Sequence, residues 1–179
     1  MDWEFSFLYA LQELHNPILD VIMIVITTLG DGGYFWIGVV IVCLIMKKHR
    51  KMGLQILLSM LCTFIVGNLI LKNLFQRERP CTLDPTIELL ISRPGAHSYS
   101  FPSGHSMNGM AAAVAIFCNN KKIGIVAIVL AVLIGFSRMY HFVHFPTDVL
   151  TGFCVGFAMA MIVQYVFGKK MRKSDVSVE

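Results

Sequence analysis

The sequence predicts an all-α fold, a polytopic membrane bundle of six transmembrane helices preceded by an amphipathic N-terminal helix. Three observations carry this. Hydrophobic residues make up 56% of the chain and charged residues only 15%, with a mean hydropathy of +0.68, far from the composition of a soluble globular domain. The apolar residues are gathered into blocks separated by Gly-rich or charged connectors. Lys and Arg are spread unevenly over those connectors, as they are in membrane proteins. No shift in composition and no linker interrupts the 179 residues, so 1–179 read as one domain.

Residues 2–15, DWEFSFLYALQELH, mix Trp3, Phe5, Phe7, Leu8, Leu11 and Leu14 with Glu4, Gln12 and Glu13, the pattern of a helix lying on a membrane surface; Pro17 ends it. Apolar stretches follow at 18–29, 34–46, 53–75, 103–118, 123–140 and 147–167. The first is short, since about 12 helical residues rise about 18 Å against a hydrocarbon core of about 30 Å. Gly152, Gly156 and Ala160, and likewise Gly109 and Ala113, recur at four-residue spacing, which lets helices approach closely in lipid.

Ten of the fifteen Lys and Arg residues sit at 47–51, 121–122 and 169–173. With these connectors cytoplasmic, six spans place both termini inside and leave Lys72, Arg77, Arg79, Arg93 and Arg138 on the outer side. The net charge of +4 therefore reports topology and calls for no nucleic acid. Four of the five cysteines lie in or beside apolar blocks and only Cys81 falls in a polar loop, so there is neither a disulfide framework nor a zinc pattern. Asp2 and Glu4 stand where a secretory signal would carry positive charge.

Within this apolar chain the stretch SFPSGHSMNG, residues 100–109, is an anomaly. Pro102 suits a first helical position, and Ser103 and Gly104 leave backbone N–H groups bare, which makes an anion-attracting helix end. Cations on the wrong side of a membrane protein need a reason, and an anion supplies one. If the third span continues as a helix, Lys72, Gln76 and Arg79 stack on one face until Pro80. Lys72, Arg79 and Arg138 can then converge with the Ser103–Gly104 helix end on one tetrahedral oxyanion, which Arg grips two oxygens at a time. Asp148, four residues after His144 with Pro146 opening a helix between them, can turn back onto one imidazole nitrogen and leave the other free to attack. His105, just inside the anion-binding helix, is placed to protonate a departing oxygen.

Three pieces, KNLFQRERP (Lys72, Arg79, Pro80), PSGH (Pro102 to His105) and SRMYHFVHFPTD (Ser137, Arg138, His144, Asp148), together resemble the three-part signature of the type 2 phosphatidic acid phosphatase family. The resemblance implies that His144 is a nucleophile forming a phosphohistidine, Asp148 its orienting partner and His105 the general acid. It implies that Lys72, Arg79, Arg138, Ser103 and the Gly104 amide bind the substrate phosphoryl oxygens. It implies no metal and no cofactor, three cations replacing the magnesium used elsewhere. An integral cell-membrane protein of bacterial type is expected, its site facing outward.

Three functions fit these residues: hydrolysis of a lipid phosphate or diphosphate, phosphotransfer from a polyprenyl diphosphate to another acceptor, and non-catalytic transport or binding of an anionic lipid. Undecaprenyl diphosphate is the first expected substrate, followed by phosphatidylglycerol phosphate and phosphatidate. The family's soluble vanadium haloperoxidase relatives do not suit a six-span chain. TIELLIS, within 81–100, is apolar enough to gate lateral entry of a lipid chain. His141 reads as an interfacial residue or a neighbour supporting the site, and Asp31 as a turn residue or a polar contact near it. His15, His49 and His97 read as structural, the first two on the cytoplasmic side.

Overall fold

A computed structural model describes residues 2–95 and 98–176 of the chain, so His97 lies outside the described residues. The helices are α1 (Asp2–Gln12), α2 (Pro17–Gly30), α3 (Tyr34–Ile45), α4 (Arg50–Thr63), α5 (Lys72–Phe75), α6 (Pro80–Leu83), α7 (Gly104–Asn119), α8 (Lys121–Tyr140) and α9 (Pro146–Val176). A π-helical stretch, Phe64–Leu71, joins α4 to α5 without a break. No β-strand occurs among the described residues.

Helix α7 is the centre of the bundle. Met107, Ala111, Ala112, Ala113 and Ala115 are fully buried there, under α4, α8 and α9. Small residues set the spacing: a Cβ on Gly152 would meet Ser103 O at 2.8 Å, one on Gly156 would meet Met107 O at 2.4 Å, and Gly109 faces Ala131. Backbones that close gain dispersion contact in a solvent that offers no hydrophobic drive between helices. Thr63 Oγ1 meets Asn108 Oδ1 at 2.9 Å, and Asn119 donates to Gln55 Oε1 at 2.8 Å, adding polar links between α4 and α7. Ile125, Val126, Val129 and Val132 of α8 point outward, as a lipid-facing surface requires.

Four helical stretches are long and apolar enough to cross a membrane: Pro17–Ile45, Lys47–Leu83, Lys121–Tyr140 and Pro146–Phe167. Among the described residues these four stretches, and not the expected six, meet that test of length and composition. Stretches 18–29 and 34–46 form one continuous candidate, interrupted at Asp31–Gly33 by a turn in which Gly32 (φ 57) and Gly33 (φ 70) adopt the left-handed conformation that glycine takes without steric cost. Gly30 lies against Ile134 and His105, while further along Cys43 meets Gly53 at the start of α4. Helix α7, at 16 residues, is shorter than any of these four stretches.

The bundle has two distinct ends. Segments 76–95, 98–103 and 141–145 lie at one end, whereas 46–49 and Asn120 turn at the other. Helix α1 packs on the first: Leu8 and Leu11 join Cys81, Phe142, Val143 and Phe145 in one buried cluster. His15 stacks on Tyr140 at 4.2 Å, also at this end and not with the cationic turns. Helix α9 starts there and runs away. Helix α1 therefore lies at the end of the bundle where α9 begins. Cys81, expected in an open polar loop, is fully buried.

Candidate active site

The PSGH stretch does form a bare helix end, two residues later than expected. Ser103 is the N-cap residue and Gly104 the first helical one, so Pro102 precedes the helix and does not open it. No side chain caps the end; Ser103 Oγ instead accepts from Ser106 Oγ at 3.0 Å. The first backbone N–H groups of α7 are thus free for an anion. Lys72 Nζ lies 3.9 Å, and Asn68 Oδ1 3.7 Å, from where a Cβ on Gly104 would sit. Glycine there keeps side-chain atoms out of the space between the helix end and Lys72.

Arg79 arrives by another route than the sequence suggests. Helix α5 stops at Phe75 because Gln76 turns left-handed (φ 44), and Arg79 becomes the extended residue before α6. The continuous Lys72–Gln76–Arg79 face does not exist, and Gln76 points to solvent, bonded to Asn73 O. Arg79 itself is buried, and every guanidinium N–H has a partner: Nε on Ser98 O, Nη1 on Val143 O and His144 Nε2, Nη2 on Ser98 Oγ and Tyr99 O.

The 3.0 Å contact from Arg79 Nη1 to His144 Nε2 assigns the imidazole tautomer. A guanidinium can only donate, so Nε2 carries the lone pair and Nδ1 the proton. Asp148 Oδ2 stands 3.5 Å from Nδ1, at ion-pair range and without a closed hydrogen bond. Burial, then the charges of Arg79, Arg138, His105 and Lys72, hold the His144 imidazole well below its usual pKa. It is neutral, and those four residues all lie within its electrostatic reach.

His105 and Arg138 meet through Asp31. His105 Nε2 is 2.9 Å and Arg138 Nη1 3.8 Å from Asp31 Oδ1, and Arg138 Nη1 donates to Thr27 Oγ1 at 2.6 Å. Asp31 is therefore the polar contact and not simply a turn residue. Arg138 Nε is buried without a partner, a donor that a phosphoryl oxygen would satisfy. His141 is buried, within electrostatic reach of Asp31 and Arg138, as a neighbour of the site would be.

Sequence reasoning left Arg77 without a role. Its Nη1 donates to Asp148 Oδ1 and Thr147 Oγ1, both at 2.7 Å, its Nη2 to Glu4 Oε2 at 2.6 Å, and its guanidinium lies 4.0 Å over the Phe145 ring. Glu4 also accepts from Thr147 Oγ1 at 2.6 Å. Burial opposes charge on Glu4, yet the bonds from Thr147 and Arg77 outweigh it and keep the carboxyl below its usual range. The available signal was Arg77 as an unexplained cation and Glu4 as an acid amid aromatic residues.

With this geometry in place, a family model described as the PAP2 superfamily matches residues 52–172. The chain belongs to the PAP2 superfamily. The match takes in all three sequence pieces and every residue of the predicted site. Among PAP2 relatives, the undecaprenyl-diphosphatase of Sulfolobus acidocaldarius is 34% identical over 69% of this chain and 59% of its own length. Phosphatidylglycerophosphatase B of Bacillus subtilis is 35% identical over 89% of this chain and 80% of its own. The crystal structure of Aquifex aeolicus LpxE superposes with a TM-score of 0.80 at 27% identity, covering 91% of this chain and 95% of that one. The bundle is thus the PAP2 fold, with the candidate site at its closed end.

Proposed function

We propose that this PAP2-type phosphatase hydrolyses a lipid phosphate or diphosphate at the outer membrane face through a phosphohistidine on His144. The observation that carries the reading is the Nε2 lone pair of His144, opposed by Asp148 at its other nitrogen and facing the cationic group around the α7 N-terminus. A phosphoryl group seated on the α7 amides, Ser103, Lys72 and Arg138 places phosphorus before Nε2, and Arg79 exchanges its imidazole bond for a phosphoryl oxygen. Nε2 attacks phosphorus, the ester or anhydride oxygen leaves with its electron pair, and His105 gives that oxygen a proton. Asp148 stabilises the imidazole as it becomes cationic. Water, giving a proton to His105, then displaces the phosphoryl group from Nε2 and restores the enzyme.

The outer location is supported by charge. Lys47, Lys48, Arg50, Lys51, Lys121 and Lys122 cluster at the end opposite the site, as cytoplasmic connectors do. Helix α1, with Trp3 and Phe7 exposed, suits the interface at the site end. Undecaprenyl diphosphate is the favoured substrate, then phosphatidylglycerol phosphate and phosphatidate. Phosphate release from each of the three in detergent, with EDTA and no added acceptor, tests this. Turnover highest on undecaprenyl diphosphate is expected. Release that requires an added acceptor would mean phosphotransfer, and release restored only by magnesium would overturn the cationic cradle.

A further inference from the structure

The nucleophile's carboxylate is held from outside the signature. Asp148 is fully buried and its two oxygens are separately fixed: Oδ2 accepts from Phe145 N at 2.8 Å and Oδ1 from Arg77 Nη1 at 2.7 Å. These two bonds set the carboxylate plane and bring Oδ2 to the His144 Nδ1 side. Arg77 cannot swing away freely, because its other nitrogen is paired with Glu4 at 2.6 Å and its face lies on Phe145. Glu4 is itself buried, and its second oxygen takes the Thr147 hydroxyl in the first turn of α9. One guanidinium thus joins two carboxylates that are 144 positions apart in the chain, one on α1 and one beside the nucleophile.

We infer that Arg77 and Glu4 are positioning residues, Arg77 aiming Asp148 at His144 and Glu4 holding Arg77, so that docking of the N-terminal helix completes the active site. This rests on the reading of His144 as nucleophile. The packing supports it: the α1 residues Leu8 and Leu11 bury against Phe142, Val143 and Phe145, the segment that carries His144. A helix held only for stability would need this apolar contact and no buried acid. Placing Glu4 there without Arg77 would leave a desolvated charge unpaired, which is costly. The arrangement is selective for arginine, since a fork can serve two carboxylates in fixed geometry and an ammonium cannot.

The test uses full-length protein in detergent. Arg77→Ala should lower kcat by about 10–100-fold, the range seen when the partner orienting a ligating side chain is removed, with little change in KM. Single-turnover formation of phosphoenzyme should slow by the same factor. In an Asp148→Asn background Arg77→Ala should add almost nothing, as expected for two residues acting as one unit. Arg77→Lys should recover part of the loss. Glu4→Gln, a nearly isosteric change, should lower kcat in the same direction by a smaller factor, so the inference stays testable if Arg77→Ala folds poorly. Wild-type kcat in Arg77→Ala or Glu4→Gln, a loss confined to KM, or full additivity with Asp148→Asn would overturn it. His144→Ala separates the two levels: if that variant turns over, the nucleophile reading fails, whereas an inert His144→Ala beside an unaffected Arg77→Ala removes only the positioning role.

Discussion

Arg79 Nη1 sits 3.0 Å from His144 Nε2, so the lone pair assigned to attack is covered by a donor before any substrate is bound. The same guanidinium has its remaining N–H groups on Ser98, Tyr99 and Val143. For Arg79 to hold a phosphoryl oxygen, as proposed, one of these bonds must be exchanged for it.

Arg79→Gln is therefore predicted to act twice. It removes a donor to the transferring phosphoryl group, lowering kcat by about 10²–10³-fold, the scale for loss of one preorganised oxyanion contact. It also removes the charge that, after burial, does most to depress the His144 pKa. The acid limb of kcat/KM, where His144 protonates and activity falls, should move to higher pH. A pH–rate profile checks this, and an unmoved limb would contradict the assigned contact.

His105 and Asp31, 2.9 Å apart, predict a dependence on the leaving group. A lipid alkoxide needs a proton and a nitrophenolate hardly does. His105→Ala should lose far more activity on phosphatidate than on p-nitrophenyl phosphate, and Asp31→Asn should show the same bias more weakly. Equal losses on the two substrates would make His105 a phosphate ligand and not the acid.

Much of this was legible in the sequence, because what the sequence encodes well is local. Helices α7, α8 and α9 start and stop within three residues of their apolar blocks at every end except the last, where α9 runs on to Val176. The Ser103–Gly104 helix end and the His144–Asp148 pair follow from offsets of one to four residues. The failures all required knowledge beyond one turn. Gln76 adopts a left-handed conformation that no neighbouring residue announces, so Arg79 left the expected helical face. Asp31–Gly33 bends a span where a Gly-rich turn between two spans would read the same. Arg77 finds Glu4 and Asp148 at separations of 73 and 71 residues, for which no periodicity exists.

Close packing around α7 gives a stability prediction. A side chain at Gly156 would press on Met107 O at 2.4 Å, a backbone atom that cannot give way, whereas nothing lies within 4 Å of a Cβ at Gly38. Gly156→Val should cost at least the 1–3 kcal/mol that is about typical of overpacking, and Gly38→Ala should be neutral or stabilising. Thermal unfolding in detergent measures both; an unchanged Tm for Gly156→Val would contradict the close helix approach.

The position of α1 at the site end sets a topology prediction. Cysteines placed at Thr86 and at Trp3, both exposed, should react with an impermeant reagent from the same side of intact cells, and one replacing Lys122 should not. Native Cys81, being buried, should stay silent. Labelling of Trp3→Cys from the side of Lys122→Cys would separate α1 from the site.

The central claim is the covalent role of His144, and trapping the intermediate tests it most directly. Enzyme mixed with substrate labelled in the transferred phosphoryl group, quenched in alkali within one turnover and digested, should carry acid-labile, alkali-stable label on the peptide containing His144. That label should be absent in His144→Ala and should accumulate more slowly in Asp148→Asn. Label on any other residue, or turnover by His144→Ala with any substrate, would contradict the account.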